Sequence, residues 1–122
     1  MNDTLIILLA WAAHLSGYPK AELPEIQFKD DTFFVEHVCG GKDCNVIGWY
    51  NDEGIIYISK RHQNLEDGFT SSLIVHEMTH YLQHKNGVTS SCFRRELEAY
   101  AVQNRYIQEV LTTSYQVTYR PC

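Results

Sequence analysis

The chain carries no run of basic residues, no internal repeat, no low-complexity segment and no apolar stretch long enough to cross a bilayer. Each absence closes off a class of protein. Ten lysines and arginines stand against fifteen acidic residues, a net charge of −5. That balance argues against nucleic acid as a partner, because a phosphate-binding surface needs clustered positive charge. The apolar stretch Leu5-Ile6-Ile7-Leu8-Leu9-Ala10-Trp11-Ala12-Ala13 falls far short of the roughly 20 residues that a spanning helix requires. It also lacks the positive flank of a secretory leader and is preceded by Asp3. It reads instead as a buried first helix over 4–16, ended by Gly17 and Pro19.

What is present suits a single folded domain, 1–122. A length of 122 residues supports one core but not a second lobe. Hydrophobic residues at 44% and aromatics at 12% are ordinary globular values.

The most informative segment is His76-Glu77-Met78-Thr79-His80. On a helix its two histidines lie one turn apart on one face, so both imidazoles can reach a single zinc ion. Glu77, adjacent in sequence, then falls beside the metal, where it can act as general base on a bound water. The flanking pattern supports a helix. Leu73, Ile74, Val75, Met78, Tyr81 and Leu82 project to one side, while His76, Glu77, His80, Gln83 and His84 share the other. Thr70, Ser71 or Ser72 offers an N-cap, and Asn86-Gly87 a stop.

A third ligand is expected on a second helix, over 93–111. At about 100° per residue, Glu96 centres the arc of Ala99, Tyr100, Gln103, Ile107, Val110 and Leu111, whereas Glu98 points with Arg105 and Glu109. A carboxylate on an apolar arc is costly unless paired or bound to a metal. Glu96 is therefore the preferred ligand and Glu98, on a solvated face, the runner-up. His84 is set aside, because His76, His80 and His84 span more than two turns, roughly 12 Å at 1.5 Å per residue.

The pentapeptide, followed by Glu96-Leu97-Glu98-Ala99-Tyr100, resembles the gluzincin clan of zinc peptidases, whose third ligand is a downstream helical glutamate. Relatives of the CaaX-processing proteases in that clan carry Glu-x-Glu-Ala-Asp with the first glutamate on zinc, which again selects Glu96. The chain departs from that pattern at Tyr100, where those proteases place an acid that orients a zinc histidine; a tyrosine hydroxyl can take such a role. The size resembles the single-domain minigluzincins. The resemblance implies a zincin-like fold, zinc as cofactor and a peptide or protein substrate. It further implies that a strand bordering the cleft pairs with extended substrate, for which Ile55 to Ser59 is the candidate. An oxyanion donor is also expected, with Tyr100, Tyr106, Tyr81 and His84 as candidates. A catalytically inactive zincin-like binding module is the alternative function. Oligomeric state is left open.

Between the helices the pattern turns to strands: 26–29, 46–50 and 55–59, the last two joined by the turn Asn51-Asp52-Glu53-Gly54. Residues 33–38 fit strand and helix alike. The order is α+β: N-terminal helix, small antiparallel-containing sheet, zinc helix, glutamate helix. In the segment 112–122, Tyr115, Val117 and Tyr119 alternate with polar residues as in a strand that extends the sheet or enters the cleft. Cys39-Gly40-Gly41-Lys42-Asp43-Cys44 reads as a turn closed on itself, and Cys92 can pair with Cys122; formally three pairings exist. An even cysteine count in a small domain fits a periplasmic or secreted protein.

Overall fold

The computed structural model describes residues 2–120 and 122. The described residues form a mixed α+β structure of four α-helices and a three-stranded sheet. In order these are α1 (Asn2–Ser16), β1 (Glu25–Lys29), α2 (Asp31–His37), β2 (Gly48–Tyr50), β3 (Ile55–Ser59), α3 (Gly68–Lys85) and α4 (Cys92–Arg105). A 3₁₀ turn, Lys60–His62, follows β3, and a π-helical turn, Tyr106–Val110, follows α4. No helix of the described residues is long and apolar enough to cross a membrane.

Helix α3 is the axis of the molecule. Ile74, Val75, Met78 and Leu82 are wholly buried between α1 and the sheet, and each such side chain contributes about 1.5 to 3 kcal/mol on burial. The opposite face of α3 is covered by α4, which is why polar Gln83 and Gln103 are also buried. Helix α3 starts a turn earlier than its serines suggest. Asp67 is the N-cap, its carboxylate accepting from Thr70 N and Thr70 Oγ1. Thr70, Ser71 and Ser72 lie inside the first turns, where the Ser71 and Ser72 hydroxyls donate to the carbonyls of Gly68 and Phe69. At the other end, Asn86 caps and Gly87, at φ 69°, stops the helix as its position in the sequence predicts.

The sheet order is β1-β3-β2, with β1 parallel and β2 antiparallel to β3. The hairpin turn between β2 and β3 forms as expected. Asn51 Oδ1 accepts from Glu53 N and Ile55 N, and Asp52 and Gly54 take positive φ. Segment 55–59 is therefore the internal strand and not the border of the cleft: Ile56 and Ile58 are fully buried, and both of its edges are paired. The ambiguous segment 33–38 is helical, capped by Asp30, whose side chain accepts from Phe33 N.

The second long helix is shorter than its periodicity suggests. It leaves α-helical spacing at Tyr106 and widens into the π turn. Among its described residues the segment that follows adds no strand. It runs along α4, with Asn104 acting as a substitute for a strand neighbour: its Oδ1 accepts from Val117 N at 2.8 Å and its Nδ2 donates to Val117 O at 3.3 Å. Tyr119 lodges between Phe93 and Tyr100. Disulfides join Cys39 to Cys44 and Cys92 to Cys122, leaving no free cysteine among the described residues.

Candidate metal centre

Helices α3 and α4 bring His76, His80 and Glu96 to one point, where one ligand atom from each lies within 4.8 Å of the other two. Glu96 Oε1 is 3.0 Å from His76 Nε2 and 2.7 Å from His80 Nε2. The far side of each ring is held by a glutamine: His76 Nδ1 is 3.0 Å from Gln103 Oε1, and His80 Nδ1 is 2.9 Å from Gln83 Oε1.

The orientation of both amides is forced. Gln83 Nε2 donates to Arg95 O at 3.0 Å and Glu98 Oε1 at 2.9 Å, two groups that only accept, and Gln103 Nε2 donates to Ser72 Oγ at 3.2 Å. Their oxygens must then face the imidazoles, so each Nδ1 carries the proton and each Nε2 presents a lone pair. Two imidazole lone pairs and a carboxylate oxygen thus converge on one point. Such an arrangement is repulsive unless a proton or a cation sits among them. Without a metal a proton fills the role. Burial opposes charge on His80, yet the hydrogen bond and charge of Glu96, with Glu77 nearby, raise it to about 9. Burial likewise opposes ionisation of Glu96, and the two histidines overcome it, lowering the carboxyl to about 2. The donor set, two nitrogens and one oxygen with outer hydrogen bonds in place, fits a divalent metal such as zinc.

Glu77 stands beside this group rather than in it. It is buried, and desolvation raises its carboxyl above the ordinary range, although His76, His80 and the backbone N–H of Tyr50 work in the other direction. The strand beside it is β2. Ser59 N donates to Ile47 O and Asn51 N to Ile55 O, and with Trp49 opposite Tyr57 this alternation turns the main-chain groups of Gly48 and Tyr50 away from β3, with the Tyr50 N–H on Glu77. A Cβ on Gly48 would meet Glu77 Oε2 at 2.9 Å, so the strand and the carboxylate fit only because this residue is glycine.

Two cavities open on the centre. The larger, about 540 Å³, lies between Val46–Gly48, Tyr100 and the chain from Tyr115 to Thr118, with His76, Glu77 and Glu96 at its floor. The smaller, about 170 Å³, lies between β2 and the first turn of α4, with Glu77, His80 and Glu96 again on its wall.

Several sequence expectations need correction. Glu98 is not on a simply solvated face: its Oε1 accepts from Tyr18 Oη at 2.6 Å and from Gln83 Nε2, so it supports the centre from outside. Burial and this carboxylate raise the Tyr18 hydroxyl to about 12. Tyr100 does not orient a histidine through its hydroxyl. Its ring packs edge-on against His76, 4.4 Å between centroids, and Gln103 takes the orienting role. Of the four oxyanion candidates only Tyr100 lines the cleft. Tyr106 donates to buried Ser71 Oγ, Tyr81 donates to Glu22 O, and His84 pairs with Tyr50 Oη at 2.7 Å on the exposed end of α3. Gln83 and Gln103 had no role from sequence. Their signal was present, since Gln83 shares the histidine face and Gln103 the arc of Glu96.

Comparison with protein-family models, with curated proteins and with solved structures finds no match to this chain. The class that the fold and site define is a small, disulfide-bonded α+β domain with a His76–His80–Glu96 group able to hold a metal ion.

Proposed function

We propose that the chain is a zinc-dependent peptidase of gluzincin-like, minimal zincin type. The observation that carries the reading is the separation of roles at one point. Three lone-pair donors converge, and a fourth group, Glu77, is buried beside them without joining them. A purely structural site needs no such carboxylate.

Zinc held by His76, His80 and Glu96 would supply a Lewis acid and a water that ionises near neutral pH. Glu77 accepts the proton of the attacking water and returns it to the leaving amine; its raised proton affinity suits both transfers. The outward N–H and C=O of Gly48 and the C=O of Tyr50 pair with an extended peptide and hold its carbonyl at the centre. Tyr100, facing the larger cavity, donates to the developing oxyanion. Its hydroxyl stays protonated to high pH, because burial, Glu96 and Glu77 all raise it. The two disulfides indicate an oxidising environment, and a periplasmic or secreted enzyme is the corresponding location.

Glu77→Gln tests the reading against a peptide mixture, with zinc content and melting temperature measured alongside. Cleavage should fall by several orders of magnitude while zinc and fold persist. Cleavage undiminished in the variant would refute the mechanism. A wild type that binds zinc but cleaves nothing would favour an inactive binding module.

A further inference from the structure

Arg95 sits one residue before Glu96 and lines the smaller cavity with Cys92 and Glu96, residues that share one turn of α4. Its Nε is buried and has no hydrogen-bond partner among the described residues. No carboxylate there pairs with it, whereas Arg61 is paired with Asp31 and Arg105 with Glu109. The acids nearby are committed elsewhere: Glu96 to the two imidazoles, Glu98 to Tyr18 and Gln83. Of the other two acids of this cavity, Glu77 is buried with the Tyr50 N–H on its carboxylate and Asp52 is solvent-exposed on the hairpin turn, and neither makes an ion pair with Arg95. A buried guanidinium Nε without an acceptor is an unfavourable arrangement that a ligand carboxylate would relieve. The positive end of α4 adds to the attraction.

We propose, on the basis of the peptidase reading, that Arg95 determines specificity by receiving a substrate carboxylate next to the scissile bond. The cavity, about 170 Å³, admits one side chain or a chain terminus. An acidic side chain and a free C-terminal carboxylate present the same chemistry. The planar fork of arginine matches either in bidentate fashion.

The test uses the zinc-loaded Glu77→Gln chain, which should hold peptides without turning them over, and calorimetric titration with two pairs of short peptides. One pair, blocked at both ends, differs only in glutamate against glutamine. The other pair is neutral in its side chains and differs only in a free against an amidated C-terminus. At least one acid-bearing peptide should bind about tenfold more tightly than its twin, and the pair that shows it identifies the source of the carboxylate. Adding Arg95→Gln should bring the twins within about twofold while zinc content stays unchanged. If Arg95→Gln loses zinc, Arg95→Lys, which keeps the charge without the fork, must show a reduced preference instead. Equal binding within both pairs, or a preference that survives substitution of Arg95, overturns the assignment and leaves the peptidase reading standing. Binding of none of the four peptides overturns both.

Discussion

Gln83 Oε1 lies 2.9 Å from His80 Nδ1, one turn back along α3, while Gln83 Nε2 donates to Glu98 and to the carbonyl of Arg95 on α4. One amide therefore fixes the tautomer of a candidate ligand and ties together the two helices that form the centre. Gln83→Ala should weaken zinc binding about 10- to 100-fold and cost about 1 to 3 kcal/mol of stability from the partners left buried. Competition with a chromogenic chelator and chemical denaturation measure the two effects. Zinc affinity unchanged in the variant would mean that His80 needs no outer support.

Glu96 and Glu98 can be separated by the same chelator assay. Glu96→Gln should abolish zinc binding, because a neutral amide replaces the charged donor at the point of convergence. Glu98→Gln should retain zinc with a modest loss of affinity, since it weakens only the grip on Gln83. Equal loss in both variants would contradict the geometry.

How much of this was legible in the sequence depends on how local the cause is. The helix bearing His76 and His80 follows from spacing and apolar periodicity, and the choice of Glu96 over Glu98 follows from the direction of one helix face. The sheet order does not follow: strand 55–59 reads as β-rich whether it lies at the centre or the edge, and only the packing of β1 on its far side decides. The course of 112–122 was hidden for a related reason. Alternation predicts a strand, but a single side chain, Asn104, satisfies the main chain of Val117 without any sheet. Glu98 looked solvated because its partners, Tyr18 and Gln83, come from distant parts of the chain.

The pH dependence should reverse sign on metal binding. In the metal-free chain His80 is raised from 6.5 to about 9. Its contribution to stability is complete below about pH 6.5 and is lost as pH rises through about 9. Glu96, lowered from 4.5 to about 2, contributes above about pH 4.5 and loses that contribution as pH falls toward 2. The metal-free chain should thus melt highest between about pH 4.5 and 6.5. With zinc in excess, protons compete for the same nitrogen, so the zinc-induced gain in melting temperature should grow from pH 6 to 8. Melting curves with and without chelator across this range give both slopes. Parallel slopes would show that zinc does not bind at His80.

The two disulfides should differ in worth. Cys92 and Cys122 are 30 residues apart and Cys39 and Cys44 only five. Loop-closure entropy assigns about 3 to 4 kcal/mol to the first bridge and about 2 to the second. Replacing each pair by serine and comparing denaturation midpoints tests the order. The longer bridge should also matter to the larger cavity, because it anchors the segment whose residues Tyr115 to Thr118 line that space.

Gly48 offers a test of Glu77 that leaves every proposed ligand in place. The residue is glycine in a strand, a position where glycine weakens the sheet unless another group must approach closely. Here the group is Glu77: a Cβ would lie 2.9 Å from its Oε2, 3.1 Å from Leu73 Cδ1 and 3.3 Å from Glu77 Cγ. Leu73 and Glu77 sit in a buried face of α3, so neither has open space to retreat into without moving toward the cleft. Gly48→Ala should therefore displace the Glu77 carboxylate, while His76, held by Gln103, His80, held by Gln83, and Glu96 on α4 keep their positions. Zinc content should be unchanged. If Glu77 is the general base, kcat should fall about 100-fold, the usual effect of displacing a catalytic group by about 1 Å. Full activity in Gly48→Ala, with the variant folded and zinc-loaded, would mean that the position of Glu77 does not limit the reaction.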